Sequence, residues 1–216
     1  MAVQMAEYVC HAVIDHFRGL NHYRTQQLVG HWKLQPLRSR ADYPVGIMGL
    51  GVLGDRVAKA VAQFDFPVLG WSRSAKSIAG LATHSGAEGL KQLLSTSDIL
   101  VCALPLTPET RDLLDRRTLS LLPRGAYFIN VGRGEQVVED DLLALLDEDH
   151  LAGAALVQHR HQQGERDNGD QAVVLGARGQ PAAQPGEHQP SPRKPLLRPA
   201  QQQQQGRDAA EGGATC

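Results

Sequence analysis

Short apolar runs alternate with helical patterns between residues 44 and 156, and this alternation restricts the fold more than any other feature of the chain. The run at 98–104 has no polar side chain after its first residue, as expected for a strand covered on both faces. Further strands are predicted at 44–49, 67–71, 125–131 and 151–156, with helices at 55–63, around 90–94, at 110–122 and at 139–146. This order predicts an α/β fold, a doubly wound parallel sheet of the Rossmann type.

The composition of the chain changes near residue 157. All ten aromatic residues lie at or before Phe128, whereas 157–216 is rich in Gln, Gly and Pro and includes five consecutive glutamines at 201–205. Such a segment buries too little apolar surface to offset about 1–2 kcal/mol of backbone entropy per ordered residue. We therefore expect a nucleotide-binding domain at 38–157 and a disordered low-complexity tail at 158–216. A shift of reading frame near codon 156 is one hypothesis for the change.

Residues 1–37 precede this domain, and their apolar pattern predicts a long amphipathic helix. Its apolar side chains recur three or four residues apart, on one helical face: Met5, Val9, Val13, Phe17 and Leu20. Four histidines also lie in this segment, at 11, 16, 22 and 31, but their spacing fits no single face. We expect surface or interface histidines and no metal site.

Charge and cysteine usage exclude several classes of protein. Lys and Arg number 22 against 23 Asp and Glu, a net charge of −1 that argues against binding nucleic acid or a membrane surface. No apolar run approaches the roughly 18 residues that span a bilayer, and no signal peptide is visible. Three scattered cysteines are too few for a disulfide framework or a thiolate metal site. A cytoplasmic protein is the expectation.

A glycine-rich loop follows the first predicted strand. Gly49, Gly51 and Gly54 match G-x-G-x-x-G and open a helix, the context that a dinucleotide site requires. Gly49 permits the tight turn, Gly51 lets a pyrophosphate approach the backbone, and Gly54 allows close packing of helix on strand. The amides of Val52 and Leu53 begin the helix, where free N–H groups and the helix dipole favour an anion. A structural glycine turn is the alternative.

The end of the second predicted strand indicates which dinucleotide binds. An NAD site usually has an acidic residue there to accept from the ribose 2′-hydroxyl. This chain has Ser72, Arg73, Ser74 and Lys76 instead, which offer hydrogen-bond donors and two positive charges. They suit a 2′-phosphate, which Arg73 could bind with two hydrogen bonds. NADP is therefore preferred and NAD is the alternative, while a solvated basic turn would leave the missing acid unexplained.

Four motifs together resemble a known family. They lie at 49–54, 71–74, 104–110 and 129–134, in the order and spacing of the D-isomer-specific 2-hydroxyacid dehydrogenases. Within that family the chain most resembles the glyoxylate/hydroxypyruvate reductase branch, over about residues 1–156. The resemblance implies reduction of small 2-oxo acids with NAD(P)H. It also implies that the opening helix leaves the substrate domain and contributes to a homodimer interface.

The same resemblance assigns residues to the site. Arg133, in Asn-Val-Gly-Arg-Gly, matches the catalytic arginine, and a guanidinium fork can bind the carboxylate of a 2-oxo acid and polarise its carbonyl. The resemblance also implies which residues line the cofactor: Leu104, Pro105, Thr110, Val131, Gly132 and Arg133 itself.

Two departures from the family pattern limit the expected activity. The first half of the family's substrate domain does not precede residue 1, and the motifs that supply a glutamate and a general-acid histidine do not follow residue 156. Glu187 and His188 are adjacent in the tail and do not fit those roles. We expect a truncated sheet and little or no turnover, because a missing general acid costs about 10²–10⁴-fold. The alternatives are a non-catalytic dinucleotide-binding fragment that dimerises, and a chain that does not fold.

Overall fold

The computed structural model describes residues 1–36, 38–158 and 171–176. In these residues the helices are α1 (Ala2–Arg18), α2 (Leu20–Leu28), α3 (Val52–Ala62), α4 (Gly86–Thr96), α5 (Arg116–Leu119) and α6 (Glu139–Asp147). The strands are β1 (Val45–Met48), β2 (Val68–Ser72), β3 (Ala82–Ser85), β4 (Ile99–Cys102), β5 (Ala126–Asn130), β6 (Leu151–Gln158) and β7 (Gln171–Gly176).

The strands form one sheet in the order β3-β2-β1-β4-β5-β6-β7. Neighbours from β3 to β6 are parallel, and β7 is antiparallel to β6. The chain builds outward from β1 to β3 and then returns to the centre, where β4 pairs with the other edge of β1. This reversal is the topological switch of a doubly wound sheet. The predicted α/β fold of the Rossmann type is confirmed.

Both faces of the sheet are covered, as the unalternating strand at 98–104 predicts. Odd-numbered strand residues such as Ile47 and Val101 pack with α1 and α3 in one core cluster. Even-numbered residues such as Met48 and Leu100 pack with α4, α5 and α6 in a second cluster. Successive strand residues point to opposite faces, so an uninterrupted apolar run can supply both cores at once.

The predicted opening helix is two helices. Gly19 adopts the left-handed conformation (φ 62°) and ends α1, and Leu20 begins α2. The apolar face of α1, including Val9, Val13 and Phe17, is buried in the core cluster shared with α3. The face expected to take part in an interface is therefore packed against this chain's own domain. Large apolar side chains are exposed further along, at Leu28, Val29, Trp32 and Leu34.

Two elements differ from the prediction. The helix expected at 110–122 is only the four residues of α5, because Asp112 has a positive φ (53°) that a continuous helix excludes. Asp115 then caps α5 by accepting a hydrogen bond from the Thr118 amide at 2.8 Å. The edge strand β3 was not predicted, because its sequence Ala-Thr-His-Ser is short and only partly buried.

Most of the predicted disordered tail lies outside the described residues. Its first residue, Gln158, ends β6, and Gln171–Gly176 form strand β7 rather than the disorder expected for them. Their partner is β6, with Ala154 opposite Leu175 and Leu156 opposite Val173. This short run is the main apolar segment in the tail, and its valines are residues that strands favour. In the described part of the chain, no helix has the length and apolar character to cross a membrane.

Candidate cofactor-binding site

The loops predicted to form the site meet at one edge of the sheet. They follow the carboxyl ends of β1, β2, β4 and β5. The loops after β1 and β4 leave the centre of the sheet in opposite directions, which opens a crevice between them. The structure therefore brings the four predicted groups of residues to the crevice where doubly wound folds bind nucleotides.

The glycine loop after β1 has the geometry that its spacing predicts. Gly49 has a φ of 100°, and a Cβ there would lie 2.9 Å from the carbonyl oxygen of Ala103. A Cβ on Gly54 would overlap the carbonyl oxygen of Gly49, so helix and strand pack at backbone contact. Above Gly51, in contrast, a Cβ would meet no atom within 4 Å. The backbone therefore leaves no space for a side chain at Gly49 or Gly54, whereas the space beside Gly51 is open.

The open side of this loop leads into α3. The helix begins at Val52, whose side chain is 86% exposed. The first amides of a helix have no carbonyl partner within that helix. Leu53 is partly buried and packs against the core on the other side. An exposed backbone beside free amides, with no side chain at Gly51, fits the pyrophosphate of a dinucleotide.

The turn after β2 presents cationic side chains to solvent. Arg73, Ser74 and Lys76 are exposed, whereas Ser72 is buried and its hydroxyl donates to the carbonyl oxygen of Ser74 at 2.7 Å. Ser72 thus shapes the turn, whereas the side chains of Arg73, Ser74 and Lys76 are open to a ligand from solvent. Lys76 Nζ donates to the carbonyl oxygen of Leu50 at 2.8 Å, which joins this turn to the glycine loop.

An acidic residue that the sequence reasoning missed lies on the loop after β4. The pKa of Glu109 is lowered by hydrogen bonds to the Thr107 hydroxyl and its own backbone, and to a smaller extent by the charge of Arg73. That electrostatic effect relates the β4 loop to the turn after β2. In the sequence, Glu109 is marked only by the tripeptide Pro-Glu-Thr. That tripeptide does not show that Glu109 is related to Arg73.

Thr110 holds the loop after β4 in shape. Its hydroxyl donates to the carbonyl oxygen of Pro105 at 2.7 Å and accepts from the amide of Thr107 at 2.8 Å. Leu104 is partly buried against the core and Pro105 is exposed. Two of the three residues predicted to line the cofactor here therefore start this loop, and the third, Thr110, stabilises it from within.

The loop after β5 carries the predicted catalytic arginine. Val131 and Gly132 are buried, and Arg133 is exposed. Arg133 Nη1 donates to the carbonyl oxygen of Gly132 at 3.0 Å, which leaves the other guanidinium donors available. The side chain of Asn130 closes the loop by accepting from the Gly132 amide at 2.9 Å and donating to the Arg133 carbonyl at 3.0 Å.

Gln136 is a further residue that the sequence reasoning missed. Its side chain is 1% exposed and bonds to both the Arg133 loop and the loop after β4. A glutamine three residues after Arg133 is a signal in retrospect, because that spacing returns a side chain to a preceding backbone amide.

Among the described residues, this edge of the sheet offers neither a cluster of metal-ligating side chains nor a reactive thiol. Within residues 1–36, 38–158 and 171–176, no three His, Cys, Asp or Glu side chains are grouped closely enough to hold a metal ion. Cys102 lies at the end of β4, but burial raises the pKa of its thiol to about 11. A buried, protonated thiol is not a nucleophile at neutral pH.

The fold and the glycine loop define a dinucleotide-binding α/β domain. The family model described as "D-isomer specific 2-hydroxyacid dehydrogenase, NAD binding domain" matches residues 10–170. The chain belongs to this family, as the four motifs predicted. The match extends beyond residue 156, where the predicted resemblance ends.

Solved structures of the same family are similar to this chain. An enzyme from Xanthobacter autotrophicus Py2, in complex with NADPH and MES, is 40% identical with a TM-score of 0.72, over 77% of this chain and 70% of that chain. An NADPH-dependent glyoxylate/hydroxypyruvate reductase from Sinorhizobium meliloti, in complex with NADP and sulfate, is 36% identical with a TM-score of 0.72, over 78% of this chain and 55% of that one. A family protein from Klebsiella pneumoniae 342 is 40% identical with a TM-score of 0.71, over 77% of this chain and 54% of that one. The chain thus spans little more than half the length of two of these three proteins.

Proposed function

We propose that this chain binds NADP(H) and carries the arginine side of an oxidoreductase site for small 2-oxo acids such as glyoxylate or hydroxypyruvate. The observation that carries the proposal is the crevice at the carboxyl edge of the sheet. There an open glycine loop, a cationic turn and the exposed Arg133 lie on neighbouring strands. Similar proteins have been solved with NADPH or NADP, which supports the choice of cofactor.

The preference for NADP over NAD is supported by the turn after β2. Arg73 and Lys76 are exposed there and would hold the 2′-phosphate, with the fork of Arg73 matching two phosphate oxygens. The amides at the start of α3 would hold the pyrophosphate, beside Gly51. Ser72 would act indirectly, because its hydroxyl is already bonded within the turn.

Arg133 would bind and orient the substrate. When bound, the reduced cofactor supplies hydride to a carbonyl carbon. Arg133 is exposed, and its guanidinium uses one donor on Gly132, so its remaining N–H groups can take the carboxylate of a 2-oxo acid. The same positive charge polarises the adjacent carbonyl and stabilises the negative charge that develops on its oxygen.

We infer that turnover by this chain is low, because the described residues bring no general acid to Arg133. The histidines among them lie on α1, α2 and the segment after them, on edge strand β3, and before β6: His11, His16, His22, His31, His84 and His150. None of these positions is in a loop that follows β4 or β5. Protonation of the carbonyl oxygen by a positioned acid is worth about 10²–10⁴-fold in rate.

The rival function is a dinucleotide-binding module without catalysis, and one experiment separates the two. NADPH is titrated by its fluorescence, and glyoxylate-dependent oxidation of NADPH is followed in parallel with the same preparation. Binding with slow oxidation that Arg133→Ala abolishes supports the impaired oxidoreductase. Binding with no oxidation above the protein-free rate supports the module. Absence of NADPH binding contradicts both.

We also propose that the chain forms a homodimer, through the segment after α1 rather than through α1 itself. Leu28, Val29, Trp32 and Leu34 are 73–87% exposed, whereas the apolar face of α1 is buried. A net charge of −1 opposes self-association only weakly. Sedimentation should give a dimer that Leu34→Ser converts to monomer and that Leu143→Ser, at an exposed leucine of α6, leaves intact.

A further inference from the structure

The side chain of Gln136 connects two loops of the candidate site. Its Nε2 donates to the carbonyl oxygens of Leu104 at 3.0 Å and Pro105 at 3.1 Å, in the loop after β4. Its Oε1 accepts from the backbone amide of Arg133 at 2.9 Å, in the loop after β5. One buried carboxamide therefore bonds the residue that would bind substrate to the residues that would line the cofactor.

Gln136 and Asn130 together fix the backbone on both sides of Arg133. Gln136 takes the Arg133 amide, and Asn130 donates to the Arg133 carbonyl at 3.0 Å. Asn130 reaches only within its own loop, because its second bond is to the Gly132 amide. Among side chains, Gln136 thus makes the connection to Leu104 and Pro105, and the thiol of Cys102 adds only a weak contact at 3.6 Å. The far end of the β4 loop is joined to the same segment by backbone hydrogen bonds from the amides of Asp112 and Leu114, both at 2.9 Å.

Gly132 provides the space that this arrangement needs. A Cβ at Gly132 would overlap Oε1 of Gln136 and would lie 3.0 Å from the carbonyl oxygen of Leu104. Its own φ is not positive, so the requirement for glycine here comes from this contact rather than from the backbone conformation. Gly132 and Gln136 therefore specify each other.

We propose that Gln136 is a positioning residue that holds Arg133 in register with the cofactor-lining loop, an inference that rests on the function proposed above. Only a neutral carboxamide satisfies all of its contacts, since it accepts one bond and donates two at the same time. A carboxylate would accept but not donate, and it would face two carbonyl oxygens in a buried site. A thioether of the same length would remove the partner of the Arg133 amide and of the Leu104 carbonyl, while the Pro105 carbonyl would keep its bond from Thr110.

The coupling is tested first without cofactor, by hydrogen exchange measured with mass spectrometry. In Gln136→Met, peptides that contain 103–106 and 131–134 should both exchange about tenfold faster than in the unsubstituted chain. The control is Gln26→Met, which removes a buried carboxamide that accepts from the Lys33 amide at 2.9 Å, in α2 and far from the crevice. Faster exchange confined to the peptide around residue 136 would overturn the coupling.

The positioning role is tested second, with NADPH and oxalate as probes. Oxalate binding to the NADPH-loaded chain should weaken about tenfold in Gln136→Met, while NADPH alone loses much less affinity. In Gln136→Glu, oxalate affinity relative to the unsubstituted chain should recover as pH falls, because a protonated carboxyl regains a donor. A purely structural role predicts equal losses for the two ligands and no recovery at low pH, which would overturn the proposal.

Failure of this inference is distinguishable from failure of the proposed function. If the unsubstituted chain binds no NADPH, the proposed function is wrong, and the exchange experiment still decides whether Gln136 couples the loops. If the unsubstituted chain binds NADPH and oxalate but Gln136→Met matches it in both measurements, only the role of Gln136 is wrong.

Discussion

Lys76 Nζ lies 2.8 Å from the carbonyl oxygen of Leu50, so the turn after β2 and the glycine loop after β1 are bonded to each other before any ligand arrives. The ammonium keeps two further donors for a phosphate. We predict that Lys76→Met weakens NADPH binding about tenfold and NADH binding about twofold, because it removes both a phosphate partner and a support of the loop. Fluorescence titration with the two cofactors measures this. Equal losses for the two would show that Lys76 supports the loop only.

Arg73 should decide the choice of cofactor. Arg73→Ala is expected to weaken NADPH binding by about 10–100-fold and to leave NADH binding nearly unchanged, because hydrogen bonds to charged groups contribute about 1.5–3 kcal/mol. Arg124→Ala is the matched control, since Arg124 is exposed just before β5, at the opposite edge of the sheet. If the ratio of NADPH to NADH affinity is the same in Arg73→Ala, the assigned role of Arg73 is wrong.

The glycine loop allows a paired test in which the same substitution has two different outcomes. Gly54→Ala should destabilise the fold by about 1–3 kcal/mol or more, because the added Cβ overlaps the Gly49 carbonyl oxygen. Gly51→Ala should fold normally, because its Cβ meets open space, but it should lose affinity for NADPH where the pyrophosphate approaches. Thermal unfolding and NADPH titration of both variants measure the contrast. Normal NADPH affinity in Gly51→Ala would mean that the pyrophosphate does not bind beside Gly51.

Arg133 should bind the carboxylate of the substrate through its fork. We expect Arg133→Lys to keep NADPH affinity and to weaken oxalate binding about tenfold, because an ammonium cannot make two parallel hydrogen bonds. Arg133→Ala should weaken it further. Calorimetry with oxalate on the NADPH-loaded chain gives both values, and Arg111→Lys, another exposed arginine, is the control. If oxalate binding is unchanged in Arg133→Ala, Arg133 does not bind the carboxylate of the substrate.

His16 makes stability depend on pH. It stacks on Tyr127 with ring centroids 4.3 Å apart and shares a hydrogen bond with the Tyr43 hydroxyl at 3.0 Å. Burial, and to a smaller extent the charge of Arg38, lowers the pKa of His16 to about 3. The folded state therefore disfavours the proton that the unfolded chain accepts near its usual pKa of about 6.5. This contribution to stability is present above about pH 6.5 and is lost as pH falls toward 3.

The slope of unfolding free energy against pH in that interval should approach about 1.4 kcal/mol per pH unit from this one proton. Urea unfolding across the interval measures it. His16→Phe should remove this part of the slope, whereas His11→Phe, at an exposed position of α1, should not. An unchanged slope in His16→Phe would mean that His16 is accessible to protons in the folded chain.

Sequence reasoning reached the fold and the geometry of the glycine loop because both depend on local patterns. Apolar runs without alternation identified β1, β4 and β5 and implied helices on both faces, and glycine spacing identified the turn before α3. Local patterns failed where packing overrules them. The helix expected at 110–122 is only the short helix α5. The amphipathic stretch expected to form one helix is divided into α1 and α2 at Gly19.

The amino-acid sequence by itself determined the parallel α/β architecture and the glycine loop, since apolar runs and glycine spacing are patterns of neighbouring residues. Only the tertiary structure decided what connects these parts: the bond from Lys76 to Leu50, the relation of Glu109 to Arg73, and the carboxamide of Gln136 between two loops. The bonds from Lys76 to Leu50 and from Gln136 to Leu104 join residues 26 and 32 positions apart. Residues so distant along the chain meet only after the sheet has set the order of its strands.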